Sequence, residues 1–261
     1  MTTETVAAVI AFGLGLIFGS FASVVAYRVP RGENIVSGRS KCPSCGREIT
    51  ALENVPVFSY LFLRGRCRHC GARISIRYPL IELVTGALFA ASVVLYGITL
   101  QAVLYSAFFW VLVVLTVIDL EHKLLPNRIV YPSFVAGALG LVVVALADGE
   151  LGRLRGAAFG ALVFGGFLFI VAFIVPAGMG GGDVKLAFVL GEFVGYAGGV
   201  GVVLVGMFLS FVTGALIGIL VMIVTGGNRK MQVPFGPFLA AGTVMSLMWG
   251  RPILDAYLGT L

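Results

Sequence analysis

The chain has 261 residues, 59% of them hydrophobic and 11% charged, with 36 glycines and a formal net charge of +6. Those proportions exclude an ordinary water-soluble domain, a disordered chain and a secreted disulfide scaffold. A charge of +6 would ordinarily suggest nucleic acid or acidic partners, but its placement reads as membrane topology, so no nucleic-acid partner is expected.

Apolar runs of roughly 16–22 residues recur along the chain, each long enough to cross a hydrocarbon layer about 30 Å thick as a helix. In chain order the predicted spans are 6–27, 80–97, 101–118, 129–147, 157–176, 184–199, 201–224 and 235–250. The fold class is therefore all-α and polytopic, with about eight transmembrane helices. The first span carries Glu4 in front and basic residues behind, without a small-residue cleavage site, so it is expected to stay as an anchor. Residues 28–78 hold ten of the eighteen Lys and Arg and three acids, too polar to span, and make a small water-soluble insert. With the first span running outside to inside, fifteen of the eighteen basic residues fall on the cytoplasmic side. The expected domains are a first helix over 1–27, an insert over 28–79 and a membrane-embedded part over 80–261.

Glycines four residues apart recur within the spans, as Gly156 and Gly160, Gly191 and Gly195, and Gly214 and Gly218. That spacing predicts close helix packing in lipid. All four cysteines fall in the insert, as Cys42-Pro-Ser-Cys45 and Cys67-Arg-His-Cys70 with 21 residues between the pairs. Two such knuckles, each followed by a glycine, suit a closed tetrahedral thiolate site for structural zinc, since both sulfurs of a pair reach one metal. Two disulfides or a redox pair are the alternatives, and a reducing cytoplasm disfavours them. His69, between two of the cysteines, is expected to be a solvated side chain.

Carboxylates at a membrane edge are functional candidates. Asp119 closes the third span, and Asp183 follows the run Gly180-Gly181-Gly182 just before Val184 and Lys185. The topology puts both on one face of the membrane although 64 residues separate them. Two such groups sharing a water are what an aspartic peptidase needs: one accepts the proton of the attacking water, the other donates to the carbonyl oxygen. Asp119 near a helix C-terminus and Asp183 as an expected N-cap would divide these roles, with Asp183 the base and Asp119 the acid. The glycines tolerate positive φ and carry no side chain, so an extended substrate backbone can approach. Glu192, about half a turn round the helix from Asp183, is left outside the site.

These residues resemble the type IV prepilin peptidases, also called leader peptidase/N-methyltransferases, of the GxGD intramembrane aspartic proteases. The resemblance runs over Gly19-Ser20-Phe21 with Arg28, the two cysteine pairs, Glu53-Asn54-Val55-Pro56, Arg77-Tyr78-Pro79-Leu80-Ile81-Glu82, Asp119-Leu120 with Leu125-Pro126, Gly180 to Lys185, and Pro234-Phe235-Gly236-Pro237-Phe238. It departs from many relatives at Asn127, where they have aspartate, and at Ser23, where they have asparagine. The resemblance implies a multi-pass enzyme of the bacterial inner membrane, surrounded by lipid. It would cleave the basic leader of prepilins and pseudopilins after glycine on the cytoplasmic face, then methylate the new N-terminus with S-adenosylmethionine. Asp119 and Asp183 would be catalytic, Gly180 to Gly182 and Lys185 the loop the substrate approaches, and Cys42, Cys45, Cys67 and Cys70 the zinc ligands. Arg28 and Glu82, which flank the insert, would bind the cofactor or pair with each other. A peptidase with a purely structural insert and a transporter with an aspartate relay are the rival readings.

Overall fold

The structure, a computed structural model, describes residues 2–36, 38–175, 179–225 and 234–259. Arg229 and Lys230 of the last predicted loop and Gly178 of the glycine run lie outside them. The described residues form helices and no strand, and divide into two compact units, Met1–Ile118 and Asp119–Leu261.

In the first unit, helix α1 (Thr3–Arg28) begins where the Thr2 hydroxyl accepts the Thr5 N–H at 3.2 Å, a side-chain N-cap. The insert follows, with short helix α2 (Phe58–Phe62), and then α3 (Arg77–Tyr96). Helices α1 and α3 pack because glycine lets their backbones meet: a Cβ at Gly15 would lie 2.7 Å from the Gly86 Cα, and one at Gly19 2.6 Å from the Glu82 Cα. Thr85 and Ser92, fully buried on α3, return their hydroxyls to the carbonyls of Ile81 and Leu88, so neither hydroxyl is stranded in the apolar layer. Helix α4 (Leu100–His122) is tied to α1 by Trp110, whose indole N–H donates to the Phe18 carbonyl at 2.8 Å while its ring stacks on Phe21. The last turn of α4, from Asp119, belongs to the second unit.

The second unit continues with α5 (Asn127–Asp148), α6 (Arg153–Ile174), α7 (Gly181–Thr225) and α8 (Gly236–Gly259). Helix α7 is the hub, packed against α5, α6 and α8. Its 45 residues would reach about 67 Å if straight, twice the hydrocarbon thickness. Gly199, at φ 74° and ψ −176°, breaks it into two legs at the predicted boundary between spans six and seven. Among the described residues six helices, α1 and α3 to α7 with α7 taken as one, are long and apolar enough to cross a membrane, so the chain is a multi-pass membrane protein. Helix α8 runs on past its predicted end at 250 through Arg251, Pro252 and Asp255, which makes it more polar than the others.

Two of the three glycine pairs form one contact: Gly156 and Gly160 of α6 lie against Gly191 and Gly195 of α7, with a Cβ at Gly156 falling 2.5 Å from the Gly195 carbonyl oxygen. The third pair differs. Gly214 faces Phe235 and Phe238, and Gly218 faces open space, so those two glycines do not form a helix seam. Replacing Gly195 with valine drives a side chain into the Gly156 backbone and is expected to destabilise by about 1–3 kcal/mol, whereas Gly166→Val, at a position with nothing within 4 Å, stays near wild type. Thermal unfolding of the two variants in detergent checks the difference.

Candidate active site

The end of α4 and the starts of α5 and α7 build a cavity of about 370 Å³ in the second unit. Helix α4 ends at His122, where Lys123, at φ 52°, turns the chain back with its N–H on the Asp119 carbonyl at 2.8 Å. Pro126, extended at ψ 127°, then starts α5 at Asn127. Asp119 and Asp183 both line the cavity, each less than a tenth exposed and near enough for their charges to interact. The structure thus brings the two sequence-predicted carboxylates together.

Asp183 is not the N-cap. It is the third residue of α7, and the Gly180 N–H points back at its carboxylate while the Asp183 N–H bonds the Gly180 carbonyl at 3.1 Å. Asp119 receives a backbone donor as well: the Gly236 N–H, at the start of α8, bonds its Oδ2 at 3.0 Å. Asp119 therefore meets the amide end of α8 while it stays in the last turn of α4, so the dipole contrast expected to divide its role from that of Asp183 is reduced.

Glycine serves here by leaving space. A Cβ at Gly236 would fall 2.6 Å from Asp119 Oδ2, one at Gly180 3.0 Å from Asp183 Oδ2, and one at Gly182 2.9 Å from the Leu125 Cβ. None of Gly180, Gly181 and Gly182 has positive φ, so the expected reliance on left-handed backbone does not apply. Gly181 is exposed with nothing within 4 Å, the open point of the loop. Lys185 lines the cavity but bonds Asn127 Oδ1 at 3.0 Å and lies over the Tyr131 ring, joining the starts of α7 and α5. Glu192, buried against Gly137 of α5, does not line it. Gly236 was missed as a site residue; its one sequence signal is a glycine followed by proline at a helix start.

The four cysteine sulfurs of the first unit lie within 4.8 Å of one another, and Cys42 and Cys70 are 3.8 Å apart. Sulfurs bound at about 2.3 Å to one tetrahedral ion would be separated by about 3.8 Å, so the cluster has the shape and chemistry to hold zinc. No disulfide joins them. The two knuckles repeat: Cys42 N–H bonds the Arg47 carbonyl and Cys67 N–H the Ala72 carbonyl, with Gly46 and Gly71 both near φ +70°. Backbone N–H groups of Cys45 and then Ser44 pull the Cys42 thiol down to about 6, toward the thiolate a metal needs. The Ala72 N–H acts the same way on Cys70, but burial and the three neighbouring thiols outweigh it and push that thiol up to about 11.

His69 is not a simple solvated side chain. Its ring bridges Arg47 at 3.1 Å and Glu53 at 3.5 Å, and so links one knuckle to the segment between the two. The Thr50 N–H and then the Thr50 hydroxyl hold the Glu53 carboxyl below the usual range, with His69 and Arg68 adding to the effect. Arg28 and Glu82 do not pair. The Arg28 guanidinium donates to the carbonyls of Asn34 and Gly38, both at 3.0 Å, and Glu82 Oε2 accepts the Val57 N–H at 2.7 Å.

Comparison with known proteins gives the family. Residues 14–96 match the profile of the bacterial peptidase A24 N-terminal domain, and residues 106–219 that of the type IV leader peptidase family. A Bacillus subtilis protein named prepilin leader peptidase/N-methyltransferase is 37% identical, with 95% of this chain and 97% of that protein covered. Proteins of the same name from Aeromonas salmonicida and Pseudomonas aeruginosa are 35% and 34% identical, over 96% and 94% of this chain and 93% and 91% of their own lengths. No solved structure matches. The chain belongs to the type IV leader peptidase family.

Proposed function

We propose that the protein cleaves the basic leader of type IV prepilins and pseudopilins at the cytoplasmic face of a bacterial inner membrane, and methylates the N-terminus so formed. The observation that carries the peptidase reading is the meeting of Asp119 and Asp183 in one cavity, each less than a tenth exposed. Fifteen of eighteen basic residues on the side of the insert support the cytoplasmic orientation.

In this reading the ionised carboxyl of the pair takes a proton from a water held between them as its oxygen attacks the amide carbon. The protonated partner donates to the carbonyl oxygen, giving a tetrahedral diol. Collapse breaks the C–N bond, and a proton passes to the departing amine. Because the two carboxylates lie near enough for their charges to interact, they act as one unit and neither has a fixed role beforehand. Exposed Gly180 and Gly181 give the substrate backbone its approach, and Lys185 with Asn127 holds the two helix starts in register. The membrane part over 80–261 is the peptidase, with 1–27 its first helix and 28–79 the insert that serves methylation.

The insert is held by structural zinc on Cys42, Cys45, Cys67 and Cys70, a closed set of thiolates that leaves no position for chemistry. S-adenosylmethionine would supply the methyl group. Arg28 and Glu82 flank the insert, but both are engaged, Arg28 with Asn34 and Gly38 and Glu82 with Val57, so they shape the insert and no methylation step is assigned to them.

Mass spectrometry of a co-expressed prepilin tests these roles. Asp119→Ala and Asp183→Ala are expected to leave it uncut, a loss of at least about 10³-fold, and cleavage retained in either would overturn the mechanism. Cys67→Ser is expected to lose its zinc, read by metal analysis, and to yield cut but unmethylated product. Gly236→Ala displaces the Asp119 carboxylate and is expected to lower kcat about 10–100-fold with little change in KM, measured with a leader peptide.

A further inference from the structure

The insert exposes large apolar side chains that its own folding does not use. Phe62 is 84% exposed, Leu52 83%, Leu61 65% and Phe58 55%. Grouped apolar surface of this kind marks a contact with something else.

A second observation sets the level of that surface. Val57, immediately before α2, adopts φ 62°, a conformation that β-branched residues avoid, and its N–H bonds Glu82 Oε2 at 2.7 Å. Glu82 lies five residues into α3, about 7.5 Å along the helix from Arg77. Ser20, eight residues before the end of α1, lies toward the same carboxylate. The start of α2 is therefore tied about one and a half turns inside the end of α3 and faces α1 about two turns inside its end, at the depth of headgroups and not out in water.

Charge points the same way. Residues 52–78 carry Arg64, Arg66, Arg68, Arg73 and Arg77, all exposed. The sole acid among them, Glu53, is engaged by Thr50 and His69, with Arg68 4.0 Å away. Apolar side chains flanked by arginines at headgroup depth suit an anionic lipid surface.

We propose that α2 and Leu52 form an interfacial anchor, with Phe58, Leu61 and Phe62 set among the upper acyl chains of an anionic phospholipid leaflet and the arginines on its phosphates. Glu82 is the positioning residue that holds the anchor at that depth through the strained Val57 turn. The insert then lies on the membrane and does not swing free of it.

Full-length protein carrying Phe62→Trp, reconstituted in nanodiscs of anionic and zwitterionic lipid, tests this. The emission that the new side chain adds to that of Trp110 and Trp249 is expected to be blue-shifted. Lipid brominated near the headgroup should quench it at least about twofold, and lipid brominated near the chain end should quench it less. Replacing Arg64 and Arg66 with glutamate, or using wholly zwitterionic discs, should weaken the quenching; quenching independent of charge would overturn the role of the arginines. Unquenched, water-like emission open to iodide would overturn the anchor. So would emission shielded only when a prepilin-derived peptide is added, which would give the face to the substrate. Zinc content equal to wild type verifies that the variant is folded.

Discussion

The 3.0 Å bond from the Gly236 N–H to Asp119 Oδ2 is the contact around which the cavity is organised. A carboxyl buried beside hydrocarbon is stable only where donors replace the water it has lost. Asp119 finds its donor 117 residues away at the start of α8, and Asp183 sits in the first turn of α7 with the Gly180 N–H turned toward it, so two helix starts face the end of α4. Side chains at Gly236 or Gly180 would occupy the space of the carboxylate oxygens themselves, which leaves glycine as the residue that fits.

Convergence of this kind requires α7 to be held closely on both sides. The four-glycine contact with α6 supplies one side, and the other is α8, where the Ser210 side chain fills the space at Gly242 and Ser246 that at Gly206. With no hydrophobic drive between helices in lipid, such close backbone approach gives dispersion contacts their full strength. Lys185 then fixes the start of α7 to α5 through Asn127. That hydrogen bond makes the link through a neutral amide and adds no negative charge beside the dyad. In the insert, thiolate geometry performs the organising task that glycine performs in the membrane, since a 50-residue polar segment buries too little apolar surface to fold on that alone.

The carboxylates and the cysteines were legible in the sequence because their chemistry is in the side chain and their neighbours are nearby: Cys-x-x-Cys implies a knuckle, and Asp119 and Asp183 each close or open a span. The junction near residue 200 was legible for the same reason, as an apolar run too long for one crossing. What stayed hidden is long-range and made by the backbone. The donor to Asp119 is a glycine amide, which looks alike at any of 36 positions. The partner of Glu82 is the amide of Val57, and no side-chain pattern announces it. His69 looked solvated because its two partners, Arg47 and Glu53, reach it only after the knuckles fold. The expected division of roles between the aspartates counted only the dipole of each residue's own helix, while α8 also supplies an amide that meets Asp119.

The central claim is that Asp119 and Asp183 act together on one water at one carbonyl. A leader-derived peptide with a hydroxyethylene group in place of the scissile amide mimics the tetrahedral state both carboxylates would hold. Binding of that peptide to the full-length protein should be at least about 10²-fold tighter than binding of the parent amide, and the advantage should vanish in Asp119→Asn and in Asp183→Asn alike. An advantage kept by either variant would contradict the shared site.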